Sequence, residues 1–251
     1  MIQSDPSPPP LTFVEPSKVA PRGTLVVIPG RGEQPEVYRR FGTRISLDAY
    51  RVHVLQDPIL DEHRVRRQVT ASITAAVGPV VLVGLDAGAL FAARLAAEGQ
   101  AAPVDALVLA GLPGPDQVAA SPSSWEEELD ARTSCPTHRR HISGDLVRSG
   151  ALYGPIPPEW SEGGAIAKVG KPILAIHGRE DPISPLEWAR EAYAPAARVE
   201  LVAVAGARHD VLNDQSHRTV AATIVLWLER LRADNELAPI ASLEPLAVDV
   251  A

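Results

Sequence analysis

Residues 80–97 constrain the fold of this chain more than any other stretch. They begin with the apolar run Val80-Val81-Leu82-Val83, which is typical of a strand buried on both faces. The run passes through Gly84-Leu85-Asp86-Ala87-Gly88 and continues as an Ala- and Leu-rich segment with high helix propensity. The two glycines leave room for a tight turn, which would lift Asp86 above the sheet edge at the positive end of the helix. The stretch therefore predicts a strand, a sharp turn carrying one polar side chain, and a helix.

Strand and helix patterns alternate on both sides of this stretch. Segments typical of buried strands lie at residues 24–28, 50–55, 104–110, 171–177 and 199–204. Helical periodicity follows most of them, and residues 11–15 are a further candidate strand. This alternation predicts a mostly parallel, doubly wound sheet, whose right-handed crossovers bring the functional loops together at the carboxyl edge of the strands.

The Gly-x-Asp-x-Gly turn resembles the nucleophile elbow of the α/β-hydrolase family, which usually reads Gly-x-Ser-x-Gly. Asp181, in Gly-Arg-Glu-Asp-Pro, resembles the acid of that family, and His209, in Gly-Ala-Arg-His-Asp, resembles its histidine. Their order along the chain is also the order that the family uses. The resemblance implies an α/β-hydrolase fold with helices on both faces of the sheet, a small helical lid, and a catalytic triad of Asp86, His209 and Asp181.

The same resemblance divides the chain into segments. We expect residues 1–22 to form an N-terminal arm with an edge strand, and residues 233–251 to form a C-terminal tail. Residues 23–114 and 169–232 would form the hydrolase core, and residues 115–168 would form the lid inserted between two strands.

The loop after residues 24–28 resembles the family loop that supplies one backbone N–H of the oxyanion hole. The amides of Arg31 and Ala87 are the implied donors, with Gly30 beside them, and Pro29 stands where the family often has His. We interpret the Arg31 side chain as a surface arginine, and the alternative is that it binds a substrate carboxylate.

An aspartate at the elbow argues against acyl chemistry, because a carboxylate that attacks an acyl carbon leaves a high-energy anhydride. A carboxylate is an adequate nucleophile against an sp³ carbon that carries a halide or an epoxide oxygen. Epoxide hydrolases and haloalkane or haloacetate dehalogenases have Asp at this position, and resemblance to them implies an alkyl ester on Asp86. Water activated by His209 would then hydrolyse that ester.

The chain departs from these relatives around the elbow. Epoxide hydrolases commonly have Trp after the nucleophile and two lid tyrosines, whereas Ala87 follows Asp86 here and the predicted lid offers Tyr153 alone. Trp125 and Trp160 are candidates for substrate or halide contact. We prefer a covalent hydrolase, with an epoxide ahead of a carbon–halogen bond. The alternatives are a lyase, cyclase or isomerase that uses Asp86 and His209 as acid and base, a catalytically silent binding protein, and an acyl hydrolase of unusual mechanism.

Other polar residues have less specific interpretations. Asp57, Asp116 and Asp210 are rival acids for the triad, and Asp116 matters most because some family members place the acid there. We expect His177 to be structural and the acidic run 126–130 to be a solvated helix face. The lid residues His138 and His141 are expected to face solvent, and the alternative is a contact with substrate.

Composition bounds the remaining possibilities. The 251 residues carry a net charge of −7, which argues against nucleic acid or an anionic membrane as a partner and leaves a small-molecule substrate. Cys135 is the single cysteine, so no internal disulfide forms, and a cytoplasmic location is expected. No apolar run approaches the roughly 20 residues that span a bilayer. Neither a metal nor another cofactor is predicted, and a homodimer is left open.

Overall fold

A computed structural model describes residues 9–99, 103–114, 124–161, 164–234 and 236–242. The strands are β1 (Leu11–Phe13), β2 (Gly23–Ile28), β3 (Tyr50–Val54), β4 (Val80–Leu85), β5 (Ala106–Ala110), β6 (Ile173–Gly178) and β7 (Val199–Val204). The α-helices are α1 (Arg39–Leu47), α2 (Glu62–Thr74), α3 (Ala87–Ala97), α4 (Trp125–Arg132), α5 (Pro136–Ile142), α6 (Pro158–Ser161), α7 (Ala165–Lys168), α8 (Leu186–Tyr193) and α9 (His217–Ala233). Short 3-10 helices occupy Pro35–Tyr38 and Ala151–Tyr153.

The strands form one sheet of seven, in the order β1-β3-β2-β4-β5-β6-β7. Strand β1 runs antiparallel to β3, with Leu11 opposite Val54, and every other neighbouring pair is parallel. The predicted sheet is therefore confirmed, and the predicted edge strand is present. In this order β2 lies directly beside β4, so the loops that follow these two strands leave the sheet next to each other.

Helices cover both faces of the sheet. Alternate strand residues point to opposite sides, so the apolar strands have an apolar surface on each face that the helices bury. On β2, Leu25 and Val27 belong to a core cluster that includes Trp227 of α9. Val26 and Ile28 belong to a second cluster, which includes Phe91 of α3. Every residue of β2, β4, β5 and β6 is buried, as expected for parallel strands covered on two sides.

The glycines of the elbow permit α3 to approach the sheet closely. A Cβ atom on Gly88 would lie 2.4 Å from the carbonyl oxygens of both Ile28 and Pro29. A Cβ atom on Gly84 would lie 2.4 Å from the carbonyl oxygen of Gly88. Both positions need glycine for space, because backbone atoms cannot yield as a flexible side chain can.

Helices α4 to α7 lie between β5 and β6 in the chain, where the sequence predicts a lid. Trp160 of α6 is completely buried, and its ring lies 4.8 Å from the ring of Phe91 on α3, centroid to centroid. Its indole N–H donates to Glu62 Oε2 over 2.9 Å. Trp160 therefore packs in the core, which corrects its interpretation as a substrate contact. A lid function for the segment stays a prediction.

Among the helices that the structure describes, none combines the length and the apolar character that a membrane span requires.

Candidate active site

Asp86 occupies the sharp turn between β4 and α3. Its backbone has φ 48° and ψ −126°, a conformation that costs free energy for a residue with a side chain. The surrounding hydrogen bonds hold it: its N–H donates to the carbonyl of Ala110, and its own carbonyl accepts from the N–H of Ala89. The turn between the two elements thus has the strained geometry that an elbow requires.

His209 connects Asp86 to Asp181. Its Nε2 atom lies 3.3 Å from Asp86 Oδ1, and its Nδ1 atom lies 2.9 Å from Asp181 Oδ2. Asp181 is itself oriented, because its Oδ1 atom accepts the backbone N–H groups of Ile183 and Ser184. The exposed fractions are 5% for Asp86, 3% for His209 and 5% for Asp181. Three residues from three separate loops thus form one buried row.

Arg31 binds the same carboxylate from the neighbouring loop. Its Nε donates to Asp86 Oδ2 over 2.8 Å, and its Nη2 donates to Oδ1 over 2.7 Å. The Arg31 backbone N–H also donates to Oδ2, over 3.0 Å, and Nη1 donates to the carbonyl of Gly154. The side chain is 1% exposed, so its interpretation as a surface arginine is wrong. No local pattern in the sequence indicates this ion pair, because the order of the strands in the sheet brings its two residues together.

The ion pairs set the charges of the row. Burial alone would raise the pKa of Asp86, but the Arg31 guanidinium and His209 outweigh it and hold that pKa well below its usual value. Burial alone would lower the pKa of His209, yet the carboxylates of Asp181 and Asp86 raise it to about 10. The pKa of Asp181 is lowered, because His209 outweighs its burial.

These pKa shifts leave Asp86 and His209 charged and bonded to each other. At neutral pH Asp86 is a carboxylate held by a guanidinium, and His209 is an imidazolium. A carboxylate bound in this way is a weak nucleophile, and an imidazolium has no lone pair with which to accept a proton from water. For Asp86 to act as a nucleophile, Arg31 would have to release Oδ1, and for His209 to act as a base, it would have to lose a proton.

The predicted oxyanion donors have different partners. The Arg31 amide points at Asp86 Oδ2, and Ala87 is the first residue of α3. The Gly30 amide instead donates to Glu33 Oε2 over 3.0 Å and lies 3.2 Å from Tyr38 Oη. The Gly30 amide therefore stabilises its own loop and is not directed at the Asp86 carboxylate, which corrects the expectation for this residue.

A second buried charge cluster lies behind the Arg31 loop, centred on Arg132. Arg132 contacts Glu33 Oε1 at 2.9 Å, Glu128 Oε1 at 3.0 Å and Asp210 Oδ1 at 3.6 Å. Its Nη2 also donates to the backbone carbonyl of Arg31. Burial and the Asp210 carboxylate raise the pKa of Glu33 to about 7, even though Arg132 opposes the shift.

This cluster corrects two expectations from the sequence. Glu128 is fully buried against Arg132, although the sequence predicts that the acidic run is a solvated helix face. His138 is 2% exposed, and its Nε2 lies 3.2 Å from Asp210 Oδ2, although His138 was expected on the surface. Glu128 is buried with Arg132, four residues along the same helix, and His138 is buried with Asp210, 72 residues away in the chain.

The rival acids lie elsewhere. Asp57 accepts the N–H groups of Gly32 and Ile59, so it braces the loop that carries Arg31. Asp210 contacts His138 and Arg132. Asp116 lies outside the described residues.

The other histidines and candidate aromatic residues have mixed environments. His177 is buried, with Nε2 2.6 Å from the Ser184 carbonyl oxygen, and His141 is exposed beside the carbonyl of Glu36. Trp125 packs against the core cluster that contains Trp227. Tyr153 packs against Ile183 and Leu152, and it precedes Gly154, whose carbonyl holds Arg31.

Among the residues that the structure describes, no group of three or more His, Cys, Asp or Glu side chains could hold a metal ion.

Comparisons with known proteins agree with this architecture. A family model described as TAP-like protein matches residues 151–237, which carry Asp181 and His209. The sequence has no significant match among curated proteins. Similar solved structures include a monoglyceride lipase from Saccharomyces cerevisiae, with 17% identity and a TM-score of 0.67 over 88% of this chain and 90% of that one. They also include a monoacylglycerol lipase from Paleococcus ferrophilus, with 16% identity and a TM-score of 0.67 over 87% of this chain and 96% of that one. An esterase from Exiguobacterium antarcticum has 15% identity and a TM-score of 0.65 over 87% of this chain and 95% of that one. The chain is therefore an α/β-hydrolase-fold protein.

Proposed function

We propose that this protein is a hydrolase that acts through a covalent ester on Asp86, with His209 and Asp181 as the other members of the triad. The observation that carries the proposal is the position of His209, 3.3 Å from Asp86 and 2.9 Å from Asp181 inside a buried site. The order of the three residues in the chain and the similarity to lipase and esterase structures support it.

The first step forms the ester. Arg31 releases Asp86 Oδ1, which attacks an sp³ carbon of the substrate while the bond from that carbon to the leaving group breaks. A halide departs with the bonding electrons, or an epoxide oxygen departs as an alkoxide and takes a proton from water. Asp86 Oδ2 remains with the Arg31 backbone N–H, so Oδ1 is the oxygen that reacts.

The second step hydrolyses the ester. Esterification removes the charge of Asp86, which is one of the two carboxylates that raise the pKa of His209, so His209 can lose its proton. Neutral His209 then accepts a proton from a water that attacks Cγ of Asp86. The oxyanion at Oδ2 is stabilised by the Arg31 amide, and one such donor contributes about 3 kcal/mol. Collapse breaks the bond between Cγ and the alkyl oxygen, His209 returns the proton to the departing alcohol, and the oxygen of water stays in Asp86.

This chemistry differs from that of the lipases and the esterase with similar folds. A serine gives an ester with an acyl substrate, whereas Asp86 would give an anhydride. We therefore assign epoxides and carbon–halogen compounds as the substrate class, rather than carboxylic esters.

A single-turnover reaction in water enriched in ¹⁸O tests the proposal. Enzyme in excess over an epoxide or halide substrate should gain ¹⁸O in the peptide that contains Asp86, and the product should remain unlabelled. The Asp86→Asn variant should form no ester. Label in the product alone, with none in Asp86, would reject the covalent route.

A catalytically silent binding protein is the second candidate, and the Arg31 fork is the observation that favours it. A carboxylate bonded at both oxygens by a buried guanidinium is also what a purely structural ion pair looks like. Absence of turnover across epoxides, halides, esters and lactones, together with saturable binding of one of them, would support this candidate.

A further inference from the structure

We propose that the substrate carries its own carboxylate, and that Arg31 binds this group when it releases Asp86. The inference rests on the proposed ester mechanism and narrows its substrate class to carboxylic acids with a reactive carbon close to the acid group. The observation behind it is that the guanidinium fork has Asp86 as its carboxylate partner at a site that is almost closed to solvent.

Forming the ester changes the charge balance around Arg31. Before the reaction, the row and Arg31 together contain two cations, Arg31 and His209, and two carboxylates, Asp86 and Asp181. The ester has no charge, and its alkylated oxygen is a poor acceptor for Nη2 of Arg31. A buried guanidinium would thus lose its charged partner at the moment the intermediate forms, which is unfavourable in a buried site.

The neighbouring carboxylates are engaged elsewhere and cannot replace Asp86. Glu33 accepts hydrogen bonds from Gly30, Tyr38 and Arg132. Asp57 accepts the backbone N–H groups of Gly32 and Ile59. A carboxylate that replaces Asp86 as the partner of Arg31 must therefore come from outside the protein, and the substrate is the molecule present at that step.

The geometry of Arg31 suits this exchange. Its backbone N–H is directed at Asp86 Oδ2, and Nη1 is held by the carbonyl of Gly154, so the guanidinium is anchored beside the reacting carboxylate. The Nε and Nη2 groups, which now hold Asp86, form the planar fork that binds carboxylates through two parallel hydrogen bonds. A carboxylate on this fork would place a carbon one or two bonds away close to Oδ1 of Asp86.

The matching substrates are 2-halocarboxylates and 2,3-epoxycarboxylates. With bromoacetate, Oδ1 of Asp86 bonds to the methylene carbon and bromide leaves with the electron pair of the C–Br bond. Hydrolysis then gives glycolate, so bromoacetate and water become glycolate, bromide and one proton. The enzyme ends in its starting state, with Asp86 free to pair with Arg31 again.

Pairs of substrates of nearly the same size, one a carboxylate anion and the other a neutral amide, test the inference. Bromoacetate is compared with bromoacetamide, and glycidate with glycidamide, by kcat/KM for product release and by mass analysis of the Asp86 peptide. The anion should be preferred at least about tenfold, as expected for a charge-assisted hydrogen-bonded pair. Acetate and glycolate should compete with the anionic substrates in the unmodified protein, a result that needs no variant to fold.

Variants of Arg31 test whether this residue causes the preference for the anionic substrate. Arg31→Gln should bring the ratio of anion to amide close to one, and Arg31→Lys should keep part of it, while the exposed arginine variant Arg140→Gln should leave the ratio unchanged. Circular dichroism and thermal melting establish that each variant is folded before the ratio is measured.

The outcomes separate the inference from the mechanism on which it rests. If Asp86 is esterified equally well by the neutral and the anionic substrates, or if Arg31→Gln keeps the preference, the inference is overturned and the ester mechanism stands. If no substrate of either charge modifies Asp86, the ester mechanism itself fails.

Discussion

Arg31 holds both carboxylate oxygens of Asp86, with Nε 2.8 Å from Oδ2 and Nη2 2.7 Å from Oδ1. The sheet order creates this relationship: β2 and β4 are parallel neighbours, so the loop after β2 and the elbow after β4 emerge side by side. A residue 55 positions earlier in the chain thereby binds both oxygens of the elbow carboxylate.

Removing the guanidinium should destabilise the fold. Arg31→Met leaves Asp86 as a buried carboxylate without its main partner, and loss of one member of a buried pair costs about 3–5 kcal/mol. The double variant Arg31→Met with Asp86→Leu should regain much of that free energy, because no charge is then left unpaired. Urea unfolding of the three proteins provides the measurement. A single variant as stable as the parent would show that the pair contributes little.

Stability should fall as the pH rises through the range in which His209 titrates. The pKa of His209 is about 10 in the folded protein, against 6.5 without the fold, so its contribution is complete below pH 6.5 and is lost between pH 6.5 and about 10. Urea unfolding at steps across this range should show the decline. His209→Gln has no such titration, and its curve should be flatter. Equal slopes for both proteins would contradict the assigned ion pair.

His209→Gln should also trap the covalent intermediate. Asp86 can still attack the substrate in this variant, but no imidazole remains to activate water, so the ester should accumulate. Mass spectrometry of the intact protein and of the peptide with Asp86 detects the added alkyl group. The matched control is the Asp86→Asn variant, which should gain no such group. Adduct formation elsewhere, for example at Cys135, would not count as support.

Substitution of Gly88 should destabilise the folded protein. Gly88→Ala places a methyl group 2.4 Å from two backbone carbonyl oxygens, so α3 or β2 has to shift, and such overpacking costs about 1–3 kcal/mol. Gly144→Ala is the control, since a Cβ there meets nothing within 4 Å and the backbone φ is ordinary. Thermal melting should separate the two variants by several degrees. Equal melting temperatures would argue against the close approach of α3.

Much of the architecture follows from local patterns in the sequence. The apolar run at residues 80–83 and the glycines around Asp86 specify a strand, a turn and a helix through effects that act within a few residues. The convergence of Asp86, Asp181 and His209 could also be predicted, because parallel topology collects the ends of the strands at one edge. Their participation in catalysis stays a prediction.

The pairing of the charges could not be predicted in the same way. Arg31 and His138 are polar residues of types that are usually exposed, and only the folded chain shows the partners that bury them. Glu33 and Arg132, for instance, are 99 residues apart and belong to different segments. Spacing within one helix or loop gives no information about such contacts. Trp160 was misassigned for a related reason, since its partner Phe91 lies in α3.

Arg132 links three segments that sequence separates widely. Its side chain bonds to the carbonyl of Arg31, and its own carbonyl accepts the N–H of Asp210, the residue next to His209. Arg132, at the end of α4, thereby connects the loop after β2 to the loop that carries His209. They should open together as a single cooperative unit, with shared amide-exchange rates, so the fold would admit a ligand by one concerted event instead of by independent fluctuations of three loops.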